Sequence, residues 1–132
     1  MIVPATALGG KGVISVLSNV LPEETVKMAN AALSGDMHTA SKMQCQLYPL
    51  IKALFSEVNP IPVKAAMAAL GFCENYLRLP LVPMEKAHEE QLLADLMQVV
   101  QQALCSYDQM RCTEGKALEQ ELRNRGNTIL DH

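Results

Sequence analysis

The chain has 132 residues and a formal net charge of −3 at pH 7, a length that fits one domain able to bury a core. The negative balance disfavours non-specific nucleic-acid binding, because no basic surface is available to meet phosphates. No apolar run approaches the roughly 20 residues that a membrane-spanning helix needs. Met1 is not followed by the basic and apolar stretches of a signal peptide, so we predict a cytoplasmic protein.

The composition predicts a helical protein with reduced thiols. Met is frequent and Trp is absent, which is typical of adaptable helix–helix packing. The four cysteines form no CxxC pair and follow no secretory signal, so we predict free thiols rather than a disulfide framework. These cysteines are Cys45, Cys73, Cys105 and Cys112.

The first element along the chain is a glycine turn followed by a candidate strand. Gly9, Gly10 and Gly12 flank Lys11, and the β-branched run at residues 13–16 has the character of a buried parallel strand. The chain offers no second convincing strand to pair with it. Either the strand assignment is wrong or its partner strands lie outside this chain.

Two helices are expected next. Pro22 suits a first helical position and Gly35 ends the pattern, which predicts a helix over about 22–34 with Val26, Ala29, Ala32 and Leu33 on its apolar face. Asp36 is placed to cap a following helix that continues to about Val58, with a kink at Pro49. The apolar stripe of this second helix is formed by Met43, Leu47, Leu50 or Ile51, Leu54 and Val58.

A short helix and an extended connector follow. The helix is predicted from Pro62 to Leu70, with Gly71 closing it. In the segment LRLPLVP, residues 77–83, two prolines remove hydrogen-bond donors, so we predict an extended connector rather than a strand.

After Pro83 the sequence predicts one long helix. Helix formers continue to about Ile129, which gives roughly 45 residues and a length of about 68 Å, whereas a globule of this chain length is only about 36 Å across. The helix must therefore break near Gly115, fold back as a hairpin, or project and pack on another chain. Its heptad-like apolar stripe comprises Leu93, Met97, Val100, Leu104, Tyr107, Ala117, Leu118 and Leu122.

Two polar motifs invite a functional interpretation. The sequence GGKG at residues 9–12 resembles an anion-binding loop, but it lacks P-loop spacing and precedes the candidate strand, so we interpret it as a structural turn. The segment after the strand, with Ser15, Ser18 and Asn19, is the better position for chemistry, although such loops are often simply solvated.

No metal or nucleophile motif is present. His38, His88 and His132 are far apart in the sequence and belong to no HExxH or GxSxG pattern. The tail carries charges at helical spacing, which indicates surface ion pairs. These charged residues are Arg111, Glu114, Lys116, Glu119, Glu121 and Arg123. We therefore assign no catalytic, cofactor-binding or metal-binding residues.

Three blocks in order carry a family resemblance: GGKGVISV at 9–16, NPIPVKAA at 59–66 and LRLPLVP at 77–83. Together they resemble the carboxyl-terminal part of dihydrodipicolinate synthase, a pyruvate-dependent Schiff-base lyase of lysine biosynthesis, over about residues 2–96. The resemblance implies that residues 13–16 correspond to the last strand of a (β/α)₈ barrel. It also implies that the later blocks belong to a helical appendage, and that the seventh and first strands are absent from this chain.

The resemblance has a negative implication for catalysis. The family condenses pyruvate with aspartate semialdehyde through a lysine on the sixth strand, aided by a tyrosine and threonines from earlier strands, and none of those segments is in this chain. Lys11 and Lys64 do not match the Schiff-base lysine motif.

The tail resembles a different family. Residues from about 99 onward, especially MRCTEGKALEQEL, are similar to an internal helical stretch of the YicC-like endoribonuclease family. If both resemblances hold, the chain joins a truncated synthase to a piece of an unrelated protein, as a gene fragment, a misassembled reading frame or a chimera.

These observations predict a mainly α, bundle-like fragment from the end of a (β/α)₈ barrel, with at most one short strand and a long C-terminal helix. The expected segments are residues 1–35, a barrel remnant; 36–98, the helical appendage; and 99–132, a tail of different origin. We expect no cofactor, no membrane, no nucleic acid and no activity from the chain alone, and self-association through the C-terminal helix. The alternatives are a split-enzyme subunit completed by another chain and an RNA-associated helical module.

Overall fold

The computed structural model describes the backbone of residues 1–130 and their side chains other than 103, 106, 107 and 125–130. Within these residues the secondary structure is helical, with no strand. The helices are α1 (Ile2–Ala7), α2 (Leu17–Val20), α3 (Pro22–Ser34), α4 (Met37–Ala53), α5 (Ile61–Ala69) and α6 (Lys86–Leu130). The mainly α fold class is confirmed.

The chain divides into two compact units, Met1–Met97 and Gln98–His132, which we call unit 1 and unit 2. In unit 1, α3 packs against α1, α2 and α4, while α2 also contacts α5 and α1 contacts α4. The largest fully buried side chains all lie in unit 1. They are Met28, Leu50, Leu54, Pro62, Leu92 and Leu96.

Helix boundaries in the first half follow local signals. Pro22 begins α3, and Gly35 ends it in a left-handed conformation with φ of 90°, which glycine adopts without steric cost. Asp36 then caps α4 by accepting a hydrogen bond from the Thr39 N–H at 3.0 Å, as expected of an N-cap aspartate. Hydrogen bonding from the Thr39 side chain, followed by that from the Thr39 N–H, lowers the pKa of Asp36.

The candidate strand at residues 13–16 does not form. Residues 11–15 have no regular secondary structure, and Val16 precedes α2. A β-strand is defined by hydrogen bonds to a neighbour, and no described segment lies alongside it as a strand. The strand prediction is therefore wrong for this chain, and the short helix α2 behind it was not predicted.

Helix α1 was also missed, because the acceptor for its first N–H groups lies 42 residues away in the sequence. The Oε1 atom of Gln44 in α4 accepts hydrogen bonds from the N–H groups of Ile2 at 3.2 Å and Val3 at 3.4 Å. These are two of the N–H groups that a helix start leaves unpaired. The buried Nε2 atom of Gln44 has no partner among the described residues.

One further boundary differs from the prediction. Helix α4 ends at Ala53 instead of continuing to Val58, and the Ser56 hydroxyl donates to the Ala53 carbonyl at 2.8 Å, which satisfies a carbonyl at the helix end. Pro49 lies inside α4, and the expected kink there stays a prediction. Residues 77–83 form neither helix nor strand, so the expectation that this segment is not a strand is confirmed, and its extended form stays a prediction.

In α4 the predicted buried face is confirmed at Leu47 and Leu50, whereas in α3 the predicted face is only partly right. In α3 the buried residues are Thr25, Met28 and Ala32, while the predicted Val26 and Leu33 are exposed. Both sets have helical spacing, so the sequence pattern does not distinguish them. Packing against α1 and α4 selects one face.

Helix α6 continues through Gly115 without a break, so of the three expectations a break there is wrong. In unit 1, its buried residues are Leu92 and Leu96, whereas Met97 of the predicted stripe is exposed. In unit 2, every described side chain from residue 104 to residue 124 is exposed. No helix among the described residues is both long and apolar enough to cross a membrane.

Candidate functional site

Described residues of unit 1 line a cavity of about 500 Å³. It lies where the segment leading into α2 meets the start of α5. Its walls are largely apolar, and the polar groups come from two amides, one hydroxyl, one thiol and one lysine. The lining residues are Ile14, Ser15, Val16, Asn19, Asn59, Pro60, Val63, Lys64, Met67 and Cys73.

The polar residues predicted after the candidate strand are partly brought to this cavity. Ser15 and Asn19 line it, and Ser18 does not. The Ser18 hydroxyl donates to the Ser15 carbonyl at 2.6 Å, and the Asn19 amide donates to the Val16 carbonyl at 3.1 Å. These side chains therefore stabilise the turn that begins α2 rather than forming a nucleophile–base pair.

The lysines differ in their surroundings. Lys64 lines the cavity, and its Nζ atom donates a 2.7 Å hydrogen bond to the carbonyl of Tyr76, the residue before the connector. Lys11 is exposed, as is every lysine other than Lys64. Gly9 and Gly10 beside Lys11 form the turn that ends α1, where the Gly10 N–H donates to the Ala5 carbonyl at 2.9 Å.

A second polar cluster joins the α4–α5 loop to the start of α6. The Oε1 atom of Glu57 accepts from the Glu85 N–H at 3.0 Å and from His88 Nδ1 at 2.9 Å. The His88 hydrogen bond, followed by the Glu85 N–H, holds the pKa of Glu57 below its ordinary value, because both contacts favour the carboxylate. One potential ligand atom from each residue lies within 4.8 Å of the others.

This cluster has a structural role. Glu57 satisfies an N–H at the start of α6 and places a negative charge beside it, which stabilises a helix N-terminus. Sequence reasoning treated His88 as a solvated helix face, and its side chain is indeed 46% exposed. The pairing itself was missed because Glu57 is 31 residues away and no spacing rule connects the two.

The other residues considered from the sequence are two histidines, the cysteines and the charged residues of the tail. His38 is exposed, and His132 lies outside the described residues. The four cysteines are free and exposed. Among the predicted tail ion pairs, Arg123 and Glu119 lie 2.9 Å apart at i,i+4 spacing on the helix surface, which is a weak stabilising contact.

Comparison with known proteins identifies the family to which the chain is similar. The family model described as the dihydrodipicolinate synthetase family matches residues 1–99. The chain belongs to this family. The resemblance inferred from the three sequence blocks is thereby confirmed for the first part of the chain.

Individual relatives agree with the family match. The chain is 54% identical over 97 residues to a 4-hydroxy-tetrahydrodipicolinate synthase of Exiguobacterium, covering 74% of this chain and 33% of that one. It is 50% identical over 93 residues to the synthase of Thermomicrobium roseum, covering 70% and 31% respectively. The chain spans about a third of the relatives it matches.

Solved structures show the same relation. The dihydrodipicolinate synthase from Aquifex aeolicus superimposes with a TM-score of 0.72 at 46% identity, over 74% of this chain and 33% of that one. The enzyme from Thermotoga maritima gives 0.72 at 45% identity over the same shares. The matched region is the C-terminal part of the synthase structures. The family match ends at residue 99, so the YicC-like resemblance of the tail stays a prediction.

Proposed function

We propose that this chain does not by itself catalyse the condensation for which its family is named, and that its own role is packing and self-association. The chain spans about a third of its curated relatives. The family's catalytic lysine, tyrosine and threonines belong to earlier strands of the barrel, as the sequence resemblance implies. Imine formation by this chain would therefore require one of its own lysines to take the place of the family's catalytic lysine.

The position of Lys64 is the observation that supports this proposal. An amine that attacks a ketone needs an available lone pair in a pocket poor in water. Lys64 is the one lysine that lines the cavity, and its Nζ atom is engaged with the Tyr76 carbonyl. The other lysines are exposed. None of these amines has the enclosed environment that imine formation requires.

Borohydride trapping tests the proposal directly. We expect the purified chain, incubated with pyruvate and sodium borohydride, to show no mass increase in intact or peptide mass spectra. The Thermotoga maritima synthase treated in parallel is the positive control. A stable adduct at Lys64 or Lys11 would overturn the proposal, and the Lys64→Arg variant would identify which lysine carries the adduct.

For self-association, unit 2 offers an exposed apolar stripe, defined here as Leu104, Leu118 and Leu122. These side chains are 60%, 58% and 63% exposed. Their spacing of 14 and 4 residues places them on one face of α6. Leucines repeated on one face of a helix are typical of a seam that a second helix covers, so we infer that a second copy of the chain covers this stripe.

Charge substitution in the predicted seam tests this association. The double variant Val100→Glu and Leu104→Glu should convert the dimer to a monomer in light scattering, because charges would have to be buried at two successive seam positions. Met110→Glu is the matched control, since Met110 is 50% exposed but lies about 120° around the helix from Leu104. A monomeric unmodified chain, or a dimer that survives the double substitution, would contradict the inference.

A further inference from the structure

The exposed apolar stripe of unit 2 is interrupted by a charged interval. Leu104 lies before this interval, and Leu118 and Leu122 lie after it. The alternating spacing of four and three residues in the predicted stripe, continued through the interval, places Arg111 and Glu114 on the same face of α6 as these leucines. Both charged side chains are exposed. The face that a second copy would cover therefore carries one positive and one negative position between its leucines.

The leucines alone do not determine the direction in which a second helix runs along this face, because apolar side chains tolerate one another in either direction. The charged positions do discriminate. In a parallel, in-register pair, each residue lies opposite its own copy, so Arg111 would face Arg111 of the partner subunit and Glu114 would face Glu114 of the partner subunit. Like charges that face each other across an interface oppose association.

An antiparallel pair makes attractive contacts from the same two positions. When the pair is centred between residues 112 and 113, residue 111 of each copy lies opposite residue 114 of the other. Two-fold symmetry forms this contact twice, and guanidinium–carboxylate pairs are among the stronger hydrogen bonds in proteins. The same register brings Leu104 to within about one residue of the level of Leu122 of the partner subunit. Apolar contact and opposite charges are thus combined in one arrangement.

We propose that the unit 2 helices of two copies pair in antiparallel orientation, with Arg111 of each copy against Glu114 of the partner subunit. This inference rests on the proposed self-association and adds its direction, its register and the residues that specify them. These two residues determine the orientation because reversing one helix replaces two attractive contacts by two repulsive ones.

Spin labels on the native cysteines measure the direction of pairing. Cys105 and Cys112 are free and exposed, so each is labelled alone in the 132-residue chain, with the other three cysteines replaced by Ser. In the proposed register the two copies of Cys112 lie at nearly the same level, whereas the two copies of Cys105 are displaced by about 22 Å along the helix axis. Double electron–electron resonance should therefore give a clearly longer distance at Cys105 than at Cys112.

Charge reversal tests the two specifying residues, with the dissociation constant measured by sedimentation equilibrium. Arg111→Glu should weaken the dimer about 10- to 100-fold, because two attractive contacts become repulsive. Adding Glu114→Arg to this variant reverses both partners and should restore the dissociation constant to within about threefold of its original value. In a parallel pair, like charges would face each other in all three chains, and the constant would hardly change.

Arg123→Glu is the matched control on the same helix. It makes the same charge change and also loses a local ion pair, because Arg123 lies 2.9 Å from Glu119. Arg123 is at least about 100° around the helix from each leucine of the stripe, so this variant should change the dissociation constant by less than about threefold. Circular dichroism of every variant reports whether the helix itself is retained.

Each outcome supports or overturns the proposal. Equal label distances in a dimer, a dimer that Arg111→Glu leaves unchanged, or a double variant that stays weak overturns the antiparallel pairing and leaves self-association standing. An Arg123→Glu variant as weak as Arg111→Glu overturns the assigned contact, because the loss would then come from local helix charges. A monomeric unmodified chain overturns self-association and the pairing together.

Discussion

Units 1 and 2 are stabilised by different interactions. In unit 1, side chains from separate helices are removed from water, with Met28, Leu50 and Leu54 fully buried. In unit 2, the hydrogen bonds between described side chains join residues one turn apart, such as Gln120 with Asn124 and Arg123 with Glu119. Unit 1 therefore depends on tertiary burial, whereas unit 2 depends on helix propensity and weak local pairs.

The family relationship follows nearly the same division. The family match ends at residue 99 and unit 1 ends at Met97. A packed core constrains many residues at once, because each buried side chain must fit several neighbours. An exposed helix constrains mainly the average helix propensity of its residues. The similarity to the synthases and the compact unit that contains the buried core therefore end within two residues of each other.

The largest expected difference between the units comes from truncating a buried leucine. Leu50→Ala should cost about 2–5 kcal/mol of unfolding free energy, because it leaves a cavity in the α4 packing. Met110→Ala in unit 2, at a side chain 50% exposed, should change it by less than about 0.5 kcal/mol. Urea unfolding followed by circular dichroism measures both, and equal costs would remove the distinction between the units.

A smaller difference is expected for two glutamines. Gln44→Met should cost about 1–3 kcal/mol, because the Ile2 and Val3 N–H groups lose their acceptor. Gln120→Met in unit 2 loses only an exposed bond to Asn124, worth a few tenths of a kcal/mol. Hydrogen exchange at Ile2 and Val3 provides a local readout, and unchanged protection in Gln44→Met would show that Gln44 does not stabilise α1.

Two glycines should respond to the same substitution with opposite signs. Gly35 has φ of 90°, so Gly35→Ala should destabilise unit 1 by about 1 kcal/mol or more. Gly115 is helical and a Cβ there would meet nothing within 4 Å, so Gly115→Ala should stabilise the tail helix by up to about 1 kcal/mol. Thermal unfolding and helical ellipticity test the pair, and a loss of helix in Gly115→Ala would contradict the continuous α6.

The smallest expected effect is the pH dependence from Glu57. Because His88 holds the pKa of Glu57 below its ordinary value, the carboxylate contributes stability above its unfolded pKa of about 4.3. That contribution is lost as pH falls through the folded pKa. The difference in melting temperature between the unmodified chain and Glu57→Gln should therefore be full near neutrality and shrink below about pH 4.

The tail provides the control for this titration. Glu119→Gln removes one partner of an exposed i,i+4 pair with Arg123, so its effect should be smaller at every pH. A Glu57→Gln difference that grows on acidification would show that the Glu57 contacts oppose folding.

Parts of the candidate site could be predicted and parts could not. Of the three loop residues that the sequence indicates, Ser15 and Asn19 line the cavity and Ser18 does not. The other wall, with Asn59, Val63 and Lys64, could not be assigned, because the approach of α5 to α2 depends on packing between helices that are distant in sequence. The Glu57–His88 contact was missed for the same reason.

The sequence by itself determined features that depend on local chemistry. Pro22, Gly35 and Asp36 set the boundary between α3 and α4, the prolines of residues 77–83 prevented regular structure, and the three sequence blocks identified the family. The backbone preferences of proline and glycine and the side-chain oxygen of a capping residue act within a few residues. These features can therefore be predicted before any tertiary contact is known.

Only the tertiary structure decided which faces are buried and whether the segment at 13–16 becomes a strand. Met28 rather than Leu33 enters the core of unit 1, and Leu96 is buried while Met97 is exposed, although either choice satisfies helical periodicity. A strand needs hydrogen-bonding neighbours, and none is present among the described residues. Burial and backbone pairing are properties of two partners, so a pattern in one segment cannot decide them alone.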